Sequence, residues 1–167
     1  MIQFDRLQRS DDALLRNLYE HYVHDMSEWL DIDTQPDGAY HLDTTPFWEG
    51  DFAVHLARVQ GSLAGFAVVG SAEAWRGHPA ARDVRDFFVL RRHRHRGVGD
   101  ALALHLWNEH PAQWIVRILV ANKPALPFWR RMVRSYRGDA HQERSVIERG
   151  RDAIERDWIH LLFDNTR

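Results

Sequence analysis

Cysteine is absent, which excludes disulfides, thiolate nucleophiles and thiolate metal ligands. Long apolar runs are absent too, and none approaches the ~20 residues needed to cross a bilayer. The opening residues, MIQFDRLQRSDD, lack the basic-then-apolar pattern of a secretory signal. These absences predict a cytoplasmic protein with no membrane partner. No internal repeat or low-complexity block interrupts the chain. The most local absence is of positive charge. Between Arg16 and Arg58 there is no Lys or Arg, while nine acids fall there: Glu20, Asp25, Glu28, Asp31, Asp33, Asp37, Asp43, Glu49 and Asp51. That span carries −9 and the remainder +7.

What is present describes a folded domain. The chain has 167 residues, 44% of them hydrophobic, with 7 Trp, 4 Tyr and 8 Phe, a composition that can build a core. One core suits this length, so a single domain over 1–167 is expected. The formal net charge of −2 gives no overall attraction to nucleic acid.

Ser10, followed by Asp11 and Asp12, reads as a helix N-cap with acids in the first turn. Leu14, Leu15, Leu18, Tyr19 and Tyr22 follow at helical spacing, which predicts a helix to about Trp29. Pro36, Gly38, Pro46 and Gly50 make 31–51 a loop with room for one short helix. FAVHLARVQGSLAGFAVVG, 52–70, is two β-rich runs about a turn at Gln60–Gly61–Ser62, hence a hairpin. A loop is expected over 71–81. DVRDFFVL, 83–90, is a strand that turns apolar on both faces, as buried strands do. A helix is expected over 99–110. WIVRILV, 114–120, is another buried strand, interrupted only by Arg117. Asn122-Lys123-Pro124 opens a further helix, with Pro124 suited to its first turn. Strands near 141–149 and 157–164 complete the order helix, hairpin, β-α-β-α, β-β, a mixed α/β (α+β) fold.

RRHRHRGVGDAL, 91–102, lies between a buried strand and a helix. Glycine there lets the backbone come close to a ligand. A helix start adds outward N–H groups and positive potential, so phosphate is the natural guest. Arginines beside it can grip phosphate oxygens in pairs. Two other readings weigh less. A nucleic-acid patch would sit on an acidic chain. A metal at His93 and His95 has no third ligand in sight. His21 and His24 with Asp25 share a helix face, where such residues are usually structural or solvated. No metal is expected.

These residues resemble a known family. Arg94-His95-Arg96-Gly97-Val98-Gly99 matches the R/Q-x-x-G-x-G/A pattern of the GNAT acetyltransferase superfamily, after an apolar strand and at a helix start. Asn122, Ala125, Phe128 and Trp129 resemble its N-x-x-A-x-x-F-Y segment, at a fitting distance. The resemblance is strong over about 80–136. The pattern FFVLRRHRHRGVG…NKPALPFWRR is similar to a subgroup of bacterial acetyltransferases whose substrates are undefined. It implies the GNAT fold, a mixed central sheet of six or seven strands, with helices on both faces and splayed central parallel strands. It implies acetyl-CoA as co-substrate and an amine acceptor as second partner, for a monomer or homodimer. By position, the backbone of Phe87, Phe88 and Val89 would line the pantetheine arm. Arg94, His95, Arg96, Gly97, Val98 and Gly99, with Asp100 at the helix start, would hold the pyrophosphate. Asn122 would hydrogen-bond near the pantetheine, and Phe128 would pack beside it.

Acetyl transfer needs a neutral amine, a stabilised oxyanion and a proton for the leaving thiolate. Family members commonly use an acid on a central strand and a tyrosine as donor. Here Trp129 stands where the tyrosine is usual, and an indole N–H cannot deliver a proton at neutral pH. Arg117 stands where some relatives carry a Glu. A thiol of pKa about 8.5 can still leave without a dedicated acid. Asp86, one residue before the apolar strand end, is the candidate base, since a desolvated carboxylate is a stronger one. The plainer reading is a carboxylate at the strand start, paired with Arg85 or Arg117. The acidic span would attract a cationic amine, with Trp29, Asp31, Asp33 and Trp48 as candidate acceptor contacts and Phe47 beside them. Its plainer reading is a solvated surface that offsets the basic loop. The expected function is N-acetylation of a cationic small molecule or peptide amine. The alternative is an acyl-CoA sensor of the same fold that does not turn over.

Overall fold

The computed structural model describes residues 1–72, 81–150 and 152–166. From 73 to 80, the loop expected over 71–81 lies outside the described residues. Strands and helices follow as β1 (Ile2–Arg6), α1 (Asp12–Met26), β2 (Phe52–Val59), β3 (Ser62–Ser71), β4 (Ala81–Val89), α2 (Val98–Glu109), β5 (Gln113–Leu119), α3 (Ala125–Arg137), β6 (His141–Arg149) and β7 (Glu155–Asp164). The strands form one mixed sheet in the order β1-β2-β3-β4-β5-β7-β6. β1–β2, β5–β7 and β6–β7 are antiparallel, and β4–β5 is parallel. The parallel ladder runs from Ala81↔Gln113 to Val84↔Val116, although β4 continues to Val89 and β5 to Leu119.

Each expected strand and helix is present within a few residues, and β1 is added to them. Its five residues alternate too briefly to be read as a strand, and its pairing with β2 from Ile2↔Val59 to Arg6↔His55 supplies what the pattern lacks. The start of α1 also differs from expectation. A 3-10 turn, Arg9–Asp11, precedes the helix and is capped by Gln8, whose N–H donates to the Asp11 carboxylate at 2.8 Å, so Ser10 lies inside that turn and the helix begins after Asp11. The hairpin turn is Gln60–Gly61, with φ of 50° and 78°, the pair of left-handed residues that a two-residue turn of this hand requires.

The chain divides into two compact units, Met1–Val69 with Asp86–Leu102, and Gly70–Arg85 with Ala103–Arg167. In the first, Leu15, Leu18, Tyr19 and Val23 form the buried stripe of α1. They pack with Val54 and Leu56 of β2, Phe66 and Val68 of β3, and Phe88 of β4. In the second, Trp129, Met132 and Val133 are the buried face of α3. There Trp107 of α2 lies 6.2 Å from Trp129 and 5.0 Å from Phe163 of β7, and Trp114 of β5 stacks on Phe163.

Candidate functional site

The arginine tract begins where β4 ends. The Leu90 N–H donates to the Ala64 carbonyl at 2.9 Å, which fixes the strand end before a 3-10 turn at Arg91–His93. The tract then splits into two kinds of arginine. Arg91 donates to one oxygen of Asp25 from Nε at 3.2 Å and from Nη2 at 2.7 Å. Arg94 donates from Nη2 to the other oxygen and from Nε to the Val89 carbonyl at 2.7 Å, with its guanidinium over the Phe88 ring. One carboxylate of α1 therefore anchors two arginines, a role for Asp25 that the sequence, which shows it beside two histidines and among the acids of the 17–57 span, does not reveal. Arg92, His93 and Arg96 have no ion-pair partner among the described residues. With the start of β1 and the β2–β3 turn they line a cavity of about 330 Å³.

Burial opposes ionisation of Asp25, but hydrogen bonds from Arg94 and Arg91 outweigh it and hold the carboxyl below the ordinary carboxylate range. A depressed folded pKa contributes stability that is present above the unfolded pKa and lost as pH falls through the folded value. Asp25→Asn is expected to cost about 2 kcal/mol at neutral pH. The deficit should shrink as pH is lowered below about 4, the ordinary aspartate pKa, which urea melts at pH 7 and pH 3 would measure.

Beyond Arg94 the backbone turns twice into the left-handed region, at His95 (φ 57°) and Gly97 (φ 77°), on either side of Arg96. Such alternation points successive N–H groups to one side and makes a concavity for an anion. α2 starts at Val98, and the Ala101 N–H closes its first turn on the Gly97 carbonyl at 3.0 Å. The N–H groups of that first turn have no acceptor within the helix, and the dipole is positive there. The glycine motif and the helix start are thus legible in the sequence, whereas the left-handed histidine is not.

Phe88 is buried, and Phe87 and Val89 are half-buried. Just before them, Asp86 accepts the hydroxyl proton of Tyr19 at 2.8 Å. Arg117 donates to Asp83 from Nε at 3.1 Å and Nη2 at 2.5 Å, and the Asp83 side chain is only 4% exposed. Arg117 faces His160 across the β5–β7 ladder, and the His160 ring lies 2.9 Å from Glu148. Burial pushes the Glu148 carboxyl up, Arg117 pulls it back and Asp83 adds to the rise. This row of charge through β4, β5, β7 and β6 was not visible in the sequence, where each member reads as an isolated strand residue. Asn122 accepts the Ala125 N–H at 3.3 Å at the start of α3. Phe128 lies 4.9 Å from Trp129 edge to face, and Trp129 is buried in the second core.

The acidic span folds back on α1. Glu20 accepts the N–H groups of Tyr40 and His41 at 2.8 and 2.9 Å. Asp12 accepts the Thr44 hydroxyl and the Trp48 indole N–H, both at 2.6 Å. Phe47 is buried and stacks on Tyr19 at 5.4 Å. Asp37 pairs with His41 at 2.5 Å, and the Asp43 carboxylate accepts the Thr45 N–H at 3.0 Å. Asp31 and Asp33 are exposed, and Trp29 is half-buried. Among the described residues, no three His, Asp or Glu side chains gather as a metal site, and no helix is long and apolar enough to cross a membrane.

A family model described as the acetyltransferase (GNAT) family matches residues 15–132. A comparison with curated proteins finds no match. Among solved structures the fold is similar to yncA of Salmonella typhimurium, a suggested acetyltransferase solved with its cofactor acetyl-CoA. That pair has 16% identity and a TM-score of 0.68, covering 100% of this chain and 95% of that one. It is also similar to the ribosomal-protein-S18-alanine N-acetyltransferase of Escherichia coli, with 16% identity, a TM-score of 0.65 and coverage of 100% and 96%. A third likeness is to Arabidopsis thaliana NAA60 in complex with acetyl-CoA, with 17% identity, a TM-score of 0.59 and coverage of 98% and 98%.

Proposed function

Since the chain belongs to the acetyltransferase (GNAT) family, we propose that it transfers the acetyl group of acetyl-CoA directly to a primary amine, on a cationic small molecule or a peptide. The observation that carries this reading is the loop from Arg94 to Asp100, with two left-handed residues and a helix start behind them. These residues suit a pyrophosphate. Backbone N–H groups and the dipole provide the cradle, and Arg96 and Arg92, without ion-pair partners among the described residues, add positive charge. Arg94 serves the same loop from behind, by holding its start to Asp25. Phe87, Phe88 and Val89 are proposed to line the pantetheine arm, with Asn122 and Phe128 as further contacts, on the family resemblance.

The thioester supplies an activated acetyl group. The protein's own residues orient the amine and manage its proton. Asp86 is proposed to take a proton from the acceptor ammonium, leaving a neutral amine to form the C–N bond as the C–S bond breaks. The remaining amine proton goes to the thiolate or to water. The exposed Asp31 and Asp33, with Trp29 and Trp48, are proposed to favour a cationic acceptor. A second reading, a sensor that binds acyl-CoA without turnover, is favoured by two observations: Trp129 is a core residue, and Arg117 is held by Asp83.

Thiol release from acetyl-CoA with a panel of amines, polyamines, aminoglycosides and short peptides tests both readings. A Gly97→Val variant serves as control. A β-branched residue in the left-handed region costs about 1–3 kcal/mol, so acetyl-CoA affinity should fall about tenfold or more. Release with a cationic amine, lost in the control, is the expected result. Tight acetyl-CoA binding without release would leave the sensor. Best release with acceptors that carry carboxylates at low salt would overturn the role of the acidic span.

A further inference from the structure

We propose that Tyr19 of α1 is a positioning residue of the Asp86 base. The proposal rests on the acetyl-transfer reading and deepens it. Tyr19 is 1% exposed, and its hydroxyl donates to Asp86 Oδ2 at 2.8 Å. The ring that carries this hydroxyl has little freedom. It stacks on Phe47 at 5.4 Å and 9°, meets Tyr22 edge to face at 5.6 Å, and lies 4.8 Å from Phe66. Phe66 and Tyr22 in turn contact Phe88, two residues beyond Asp86. The phenol is therefore fixed in place by the core, and its hydroxyl holds one oxygen of the carboxylate.

Two consequences follow from elementary chemistry. A hydroxyl that donates to a carboxylate favours the ionised form, so Tyr19 keeps Asp86 charged and able to take a proton, while offsetting part of the basicity that desolvation adds. It also fixes which oxygen faces the phenol, and so the direction in which the carboxylate can take the ammonium proton. A buried tyrosine hydroxyl could be satisfied by any backbone carbonyl. A carboxylate partner brings a desolvation cost that the fold alone does not require. Phe47 extends the arrangement. It follows the Thr45–Pro46 step and precedes Trp48, whose indole is tied to Asp12, so the 45–48 segment rests on the ring that holds Asp86.

Tyr19→Phe retains the ring and removes only the donor. In the purified protein, the Asp86 carboxyl carbon followed by ¹³C NMR is expected to titrate at higher pH in Tyr19→Phe than in the wild type, in the absence of any acceptor. With the most active amine of the thiol-release panel, kcat should fall about tenfold with KM for acetyl-CoA unchanged, and the acidic limb of the kcat profile should move to higher pH. Asp86→Asn should lower kcat further, and adding Tyr19→Phe to it should change nothing more, because the two side chains act as one unit. The proposal fails if the Asp86 titration does not move, or if the two losses multiply. A lower melting temperature with an unmoved titration would make Tyr19 a packing residue only. If the wild type releases no thiol with any amine, the acetyl-transfer reading fails instead, and the titration still decides whether Tyr19 controls Asp86.

Discussion

Gly65→Ala is expected to destabilise the protein by about 3 kcal/mol and to weaken acetyl-CoA binding at least tenfold. Gly65 lies in β3, where the strand passes the end of β4. A Cβ built there would overlap the Phe88 carbonyl oxygen and stand 3.1 Å from Val89 Cα and 3.3 Å from the Phe88 carbonyl carbon. The obstacles are backbone atoms, which cannot swing aside as a side-chain tip can. The methyl must push β3 off the segment that the Leu90–Ala64 hydrogen bond fixes. Overpacking of this kind costs about 1–3 kcal/mol, and more where the backbone must shift. The displaced residues are Phe88 and Val89, so the defect reaches the proposed pantetheine contacts directly. Gly61→Ala is the control. It places a methyl where nothing lies within 4 Å, and only the left-handed φ of 78° penalises it, by about 1 kcal/mol. Denaturant melts and acetyl-CoA titrations of the two variants would separate contact from conformation. A Gly65→Ala protein as stable as Gly61→Ala, with wild-type affinity, would mean that β3 and β4 part without cost.

Gly65 also marks where reading the sequence stops. In SLAGFAVVG it is one small residue in an apolar strand, and its necessity comes from a carbonyl 23 positions later. The features that were legible are those whose physics is local. The stripe of α1, the Gln60–Gly61 turn, the apolar run of β4 and the glycine motif before α2 each depend on neighbours within a few residues. β1 is not legible, because five alternating residues are too few to be distinctive and its partner begins 46 positions after it ends. The tract RRHRHRG spelled out a phosphate loop but not the division of its arginines. That division depends on Asp25, 66 residues from Arg91. The same holds for Asp86: the sequence pointed to it as a base, and only the fold supplied Tyr19, 67 positions away. In the sequence the acidic span reads either as an attraction for a cationic acceptor or as a solvated surface that offsets the basic loop. In the structure Arg91 and Arg94, from outside the span, neutralise Asp25, so the charge offered to an acceptor is smaller than the −9 of the composition, while Glu20 and Asp43 keep their charge and are fixed by backbone N–H groups.

Arg117→Ala is expected to cost about 3–5 kcal/mol. Three hydrogen bonds, from Nε to both oxygens and from Nη2 to one, join its guanidinium to Asp83, whose side chain is 4% exposed, and removing the guanidinium leaves that carboxylate buried without its cation. The pair as a whole need not stabilise the fold, because two charges lose their hydration when they enter the interior. Replacing both residues together, as Asp83→Leu with Arg117→Met, should therefore recover most of the loss. Glu148 gives the same experiment a pH signature. Burial already raises its carboxyl above the ordinary glutamate range, and Arg117 is the charge that restrains the rise. A group with a raised folded pKa contributes stability that is present below its unfolded pKa and lost as pH rises through the folded one. Without Arg117 that rise grows, so the deficit of Arg117→Ala should be largest near pH 8 and should narrow toward pH 5. Denaturant midpoints of the two single variants and the double variant across that range would measure it. A double variant as unstable as Arg117→Ala would mean that the charges are required for the fold itself. A double variant that is stable but inactive in thiol release would mean that the row of charge from Asp83 to Glu148 is kept for function at the expense of stability.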